Sequence, residues 1–426
     1  MSMMVVFTQA MPLFGARSLA AVRRLATDAK GAVAVGKFHS PIVDALWAVR
    51  HAESADDRAA DDDAVGAGPT PKHADASRTV ARYDFVSNPM LAEQYRNPYG
   101  LVRIGRVLED LDALAGTIAF KHTRPRAPKH LMLVTASVDR IALLHNCDTA
   151  SDMRLSGYVA WVGRSSMVLK LNAYSDGVFG GAQPWLEADF TFVARDPATQ
   201  KSAPIDPLEL RTEAERAIFS RVAAKVERDR AQRAAPPCAQ ANAAATAQLV
   251  AAALPAVLMP ALSDPTTVLM SDTRQTNAFV CQPQHRNTQD RIFGGLLMRR
   301  AFELAYATAF LFSGSKPQFI EVDRVQFVAP VEVGDLLMFD ARVLYTTPKR
   351  TVRESTRAVV VLPPEVHVEI IAHVVRPGQH TSRHVNTTMI TFALPEAETV
   401  KRVLPTSSDE AQRVLARIAA DETRDE

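Results

Sequence analysis

Long apolar runs are missing from this 426-residue chain, and no stretch reaches the roughly 20 apolar residues of a spanning helix, so a helical membrane span is excluded. Cysteine is scarce. Cys147, Cys238 and Cys281 are odd in number and far apart, which supplies neither a disulfide framework nor a zinc-ligand pair, and they read as reduced thiols. Charge of one sign is not in excess: 49 Lys and Arg against 47 Asp and Glu leave a formal charge of +2, no footprint for nucleic acid. Common enzyme signatures are absent too. There is no G-x-S-x-G elbow, H-E-x-x-H pair, Walker loop or G-x-G-x-x-G turn. An elbow-type serine hydrolase, a zinc protease and a nucleotide-binding enzyme are all disfavoured, and neither metal nor cofactor is expected.

What is present is a globular composition, 47% hydrophobic and 23% charged, in a chain long enough for two or three domains. The first 27 residues carry Arg17, Arg23 and Arg24 and no acid before Asp28. That pattern suits a mitochondrial presequence over residues 1–30, with an ordinary basic arm as the other reading. Ser40-Pro41 offers an N-cap and first helical position ahead of Ile42, Leu46 and Val49 at helical spacing. From Glu53 to about Ser77 the chain is mostly Ala, Asp, Gly and Pro, so residues 31–77 are expected to form a short helix and a disordered connector. A second helix is predicted from about Leu208 toward Arg233, with Ala214, Ile218, Val222 and Val226 on one stripe. Ala234 to Ala245 then reads as a linker, within an interdomain segment 206–262.

On either side of that segment, in residues 78–205 and 263–400, the same order of elements occurs twice. Gly105 leads an apolar helix from Val107 to Phe120, and Gly294-Gly295 lead another from Leu296 to Phe312. Val138-Asp139-Arg140-Ile141 and Val322-Asp323-Arg324-Val325 follow, each in an extended segment. Strand-like runs come next: Leu155–Val162, Met167–Tyr174 and Leu186–Ala194, then Leu336–Tyr345, Val352–Val361, Val366–Val375 and Thr387–Leu394. One helix followed by consecutive strands predicts an antiparallel sheet with the helix on one face, an α+β fold. A repeated tetrapeptide alone could be chance; the shared order of elements favours duplication. Residues 401–426 are expected to be a C-terminal tail.

Chemistry is concentrated between His285 and Tyr306. Adjacent Gly294 and Gly295 at a helix start permit close approach of a ligand and present N–H groups that could hold an oxyanion. Glu303, just over two turns on, is a candidate base if burial raises its pKa, and equally a partner for Arg299 or Arg300. In the first half, Arg106 precedes Glu109, Asp110 and Asp112, where an Arg106–Asp110 pair on a solvated face is the plainer reading. Gly163, Arg164, Ser165 and Ser166 form a turn that could grip a phosphate, although such a turn is more often a hairpin connection.

At these residues the sequence resembles the mitochondrial acyl-coenzyme A thioesterases with tandem hotdog domains, the type-nine group of the mammalian series. The resemblance rests on Val102 to Asp112, Ser156 to Met167, Val193 to Asp196, Arg286-Asn287 and Arg291 to Ala305, in order over residues 80 to 400. It implies two hotdog units, each a long helix wrapped by an antiparallel sheet, paired within one chain as a pseudo-dimer with the acyl thioester in the seam. It further implies catalytic roles for Asn287, Glu303 and Gly295, with Asp112 as the first unit's acid, and acyl-CoA contacts at Gly294, Arg291 and the Gly163–Ser166 turn. Glu303 is expected as base or nucleophile, Asn287 as the group that orients water or carbonyl, and Gly295 as an oxyanion donor. The family's common acid position, seven past the second glycine, is Phe302 here, so one seam is expected to be inactive or structural. A soluble matrix enzyme assembling as a homo-oligomer, such as a trimer, follows from the same likeness. A non-catalytic acyl-CoA sensor or carrier remains the competing reading; a hotdog dehydratase lacks a counterpart for its histidine.

Overall fold

The computed structural model describes residues 39–59, 70–124, 131–177, 183–234, 239–353, 359–397 and 399–425. The expected presequence and Cys238 lie outside them. After α1 (Pro41–Ala59), the first unit runs β1 (Thr79–Tyr83), α2 (Pro89–Tyr95), α3 (Ile104–Thr123), β2 (Met132–Leu143), β3 (Met153–Val162), β4 (Ser166–Ser175) and β5 (Leu186–Arg195). Two helices, α4 (Glu213–Ala234) and α5 (Ala239–Leu258), lead to the second unit. That unit runs β6 (Gln275–Val280), α6 (Gly294–Ser313), β7 (Gln318–Phe327), β8 (Leu336–Thr347), β9 (Glu365–Arg376) and β10 (Thr381–Ala393), and α7 (Ser408–Asp425) follows.

All ten of these strands form one sheet in the order β1-β3-β4-β5-β2-β7-β10-β9-β8-β6, antiparallel at every junction. Read outward from the centre, each half has the same internal order, which is the hotdog repeat. The repeated tetrapeptides meet at that centre: Val138 pairs with Val325 and Ile141 with Val322. Such reciprocal pairing is what a two-fold axis produces. Bulges fall at Thr135/Ser137 and Val138/Arg140 in β2, and at Phe319/Glu321 and Val322/Arg324 in β7, so they repeat 184 positions on.

The helices α3 and α6 are apolar on nearly every side because they lie in the concave face of the sheet. Val107, Leu108, Leu111, Leu114 and Ile118 of α3 are buried, as are Leu297, Met298, Ala301 and Ala305 of α6. Burial of each large side chain contributes roughly 1.5–3 kcal/mol relative to exposure. The opposite face is covered by α4 in the first unit, where Ile218, Val222 and Val226 pack on Tyr158, Ala160, Trp161 and Val168. In the second unit α7 covers it through charge: Arg413 pairs with Glu369, Arg417 with Asp323, and Arg342 with Glu410 at 3.0 Å.

Four expectations need correction. The supposed connector is ordered at both ends, since α1 runs to Ala59 and Lys72–His73 pair with Leu208–Glu209; residues 60–69 lie outside the description. The alanine-rich linker is largely helical on both sides of residues 235–238, because alanine is the best helix former even without an amphipathic stripe. Val352–Val361 is not one strand of the main sheet: Arg350–Arg353 and Val359–Leu362 pair with each other, antiparallel, as a separate two-stranded sheet. The C-terminal tail is α7, preceded by a short strand, Arg402–Leu404, paired with Thr267–Leu269. Among the described residues no helix is long and apolar enough to cross a membrane.

Candidate active site

Two long helices packed side by side about a pseudo-two-fold axis create two seams. At the first, Asp112 from the middle of α3 meets the start of α6. Its Oδ2 accepts a hydrogen bond of 2.8 Å from the Gly295 N–H, and its Oδ1 accepts one of 3.1 Å from Thr135 Oγ1 on β2. Only glycine permits this approach. A Cβ at Gly294 would come within 3.0 Å of Asp112 Oδ2, and one at Gly295 within 2.7 Å of the Glu109 carbonyl. Burial pushes the Asp112 carboxyl up to about 6, against the opposing influence of Thr135, Gly295 and the Arg50 guanidinium.

Asn287 lines the same cavity as Asp112, together with Thr135, Trp47, Arg50 and Phe293. Its Oδ1 accepts from the backbone N–H groups of Gln289 at 2.8 Å and Arg291 at 3.2 Å. Those two bonds fix the side chain's orientation, and Gln289 anchors the loop to the Leu133 carbonyl on β2. The Asn287 Nδ2 group is left as a donor with no protein partner among the described residues, half-buried at the seam. Arg291 closes this turn through its backbone, while its guanidinium lies 3.9 Å from Glu332.

Sequence reasoning missed Trp47, Arg50 and Thr135. Helix α1 was legible, but its docking was not: the Ser40 hydroxyl binds Asp110, whose other oxygen accepts from Tyr83 at 2.8 Å and from Tyr95. Asp110 is therefore buried, not on a solvated face, and Arg106 pairs with Glu109 instead, at 3.3 Å. Burial raises the Asp110 carboxyl to about 7 despite its three hydroxyl donors. So anchored, α1 sets the Trp47 ring 5.2 Å from Phe293 and leaves Arg50 half-buried, its guanidinium lowered to about 10 by desolvation. The space left beside Asp112 is about 50 Å3.

Glu303 does not join Asn287 and Gly295. Eight residues along α6 is about 12 Å of helix, which carries it to the other seam. There it pairs with Arg103 at 2.6 Å, Arg299 at 3.0 Å and Arg300 at 3.5 Å. Burial pushes its carboxyl up, but the Arg299 and Arg103 charges outweigh that and hold it below the usual range. An ion-paired acid of lowered pKa is a poor base. The expectation that Gly295 donates to an oxyanion also changes, because its N–H is directed at Asp112.

The second seam is the first one rewritten. Asn97 lies 190 positions before Asn287 and makes the same turn, its Oδ1 accepting from Tyr99 N at 2.9 Å and Leu101 N at 3.0 Å. Gly105 stands for Gly295 at the same offset, and its α-carbon faces Phe302, the counterpart of Asp112. Phe319 occupies the position of Thr135 at the strand offset of 184. The Gly163–Ser166 turn lines neither seam cavity. It closes the β3–β4 hairpin, with the Gly163 N–H donating to the Ser166 carbonyl at 2.8 Å.

No protein-family profile matches the chain. Among curated proteins it is 39% identical to acyl-coenzyme A thioesterase 2, chloroplastic, of Humulus lupulus over 91% of this chain and 90% of that one. It is 38% identical to acyl-coenzyme A thioesterase 4, mitochondrial, of the same plant, over 91% of this chain and 74% of the relative. Among solved structures, a hexameric acyl-CoA thioesterase aligns at 25% identity with a TM-score of 0.33, covering 39% of this chain and 99% of its own.

Proposed function

This chain belongs to the acyl-coenzyme A thioesterases, and from that premise we propose that its hydrolytic site is the seam where Asp112 of one unit meets Asn287 of the other. The enzyme hydrolyses acyl-CoA to a fatty acid and coenzyme A. The observation that carries the assignment is the Asp112 carboxylate, buried and held by Gly295 N–H and Thr135 Oγ1 in the cavity that Asn287 lines.

Thioester hydrolysis needs an activated water and stabilisation of charge on the carbonyl oxygen. Asp112 takes the proton of a water as that water attacks the carbonyl carbon. Gly295 and Thr135 keep the carboxylate aimed, and Asn287 Nδ2 donates to the developing oxyanion. The carbon–sulfur bond then breaks with coenzyme A as the leaving thiolate. A thiol of pKa about 8.5 leaves without strong protonation, so the site needs no histidine acid. Asp112→Asn is expected to lower kcat by about a hundredfold or more, and Asn287→Ala by a similar factor. Glu303→Gln should cost only a few-fold. Steady-state release of free thiol from acyl-CoA measures all three, and near-native turnover in Asp112→Asn would overturn the assignment.

The basic, acid-poor residues 1–27, together with relatives named mitochondrial, support import into mitochondria. A fluorescent protein fused behind residues 1–30 should co-localise with a matrix marker; diffuse fluorescence would refute this.

A further inference from the structure

The second seam holds a cavity of about 480 Å3, far larger than the space beside Asp112 and within the range of small-molecule sites. Its wall is apolar where the first seam is reactive. Phe302 and Phe319 stand in for the acid and the threonine, and Leu101, Val102, Ile104 and Leu143 extend the same surface. At the mouth, Lys316 Nζ rests 3.8 Å from the centre of the Tyr99 ring, and no carboxylate among the described residues pairs with it. Arg103 is occupied by Glu303, and Glu396 also lines the cavity. No helix corresponding to α1 covers this opening among the described residues, and Tyr99 is 43% exposed.

We propose that this seam is a second acyl-chain site that binds without hydrolysing, for a ligand made of an alkyl chain ending in an anionic group. The location argues for this occupant, since the pseudo-two-fold axis carries the thioester seam onto this cavity. The side chains argue for the fate of the ligand: Phe302 faces Gly105 where Asp112 faces Gly295, and the carboxylate beside it, Glu303, is held in ion pairs by Arg103, Arg299 and Arg300, so water meets no free base there. Lys316 is placed to meet the anionic group as it leaves the apolar wall. The proposal rests on the Asp112 assignment, which makes the other seam the thioester seam.

Isothermal titration of the full chain with a non-hydrolysable dodecyl-CoA thioether, and separately with laurate, tests it. The native chain should bind two equivalents of one or both ligands counted over both seams. Leu143→Trp, which fills the cavity, should abolish one equivalent. Lys316→Glu at the rim should weaken that equivalent at least tenfold while leaving lauroyl-CoA hydrolysis within about twofold of native. Sensitivity of the thioether alone identifies the acyl thioester as occupant, and sensitivity of laurate identifies the free acid; either supports the site. A single equivalent in the native chain, or two that neither variant alters, overturns it. Failure of the Asp112 assignment would show separately, as hydrolysis persisting in Asp112→Asn.

Discussion

Asp112 illustrates how one carboxylate is prepared by its surroundings. Burial destabilises the ionised form, and a backbone N–H, a hydroxyl and a guanidinium recover part of that loss, leaving the group at about 6. A base is active only when ionised, so kcat/KM for acyl-CoA should rise about tenfold per pH unit below 6 and level off above it. A profile flat from pH 5 to 8 would exclude Asp112 as the base. The same shift bears on stability with the opposite sign. A carboxyl raised above its ordinary 3.8 favours the folded state below that value, and the advantage is lost as pH rises through about 6. Asp112→Asn should therefore be more stable than native at pH 8, by up to about 3 kcal/mol, with the difference vanishing near pH 4. Denaturant unfolding at the two pH values measures this; equal stability at pH 8 would mean that the carboxylate is well compensated.

At the scale of elements, α1 matters more than its place outside either repeat suggests. It reaches the seam through Ser40 on Asp110 and delivers Arg50 toward Asp112. Arg50 lowers the Asp112 pKa, so Arg50→Ala should move the acid limb of the pH profile upward, whereas Arg50→Lys should largely restore it. An unmoved limb in Arg50→Ala would reduce the residue to packing. The helices α3 and α6 were legible because burial on all sides leaves an apolar signature, and the long strands because they are apolar runs, with alternate residues buried in β3 and β5. The edge strands β1 and β6 were not, being 5 and 6 residues long and half exposed. The site was legible by residue type and misread by partner. Glu303 and Gly295 share a helix and so looked like one set, but a helix turns and advances. The true neighbour of Gly295 is 183 residues away, and no local pattern reports a contact of that separation.

At the scale of the molecule, the Val-Asp-Arg repeat marked the duplication, and the structure adds that the two copies pair with each other across the centre of the sheet. The covalent link between the units has a consequence for inheritance. In a dimer of identical chains each substitution is written into both seams at once, so a phenylalanine in place of the acid silences the whole enzyme. A single reading frame holding two copies lifts that constraint. Phe302 and Asp112 can then differ, and a lineage can keep one seam under selection for turnover while the other drifts toward whatever its shape will hold.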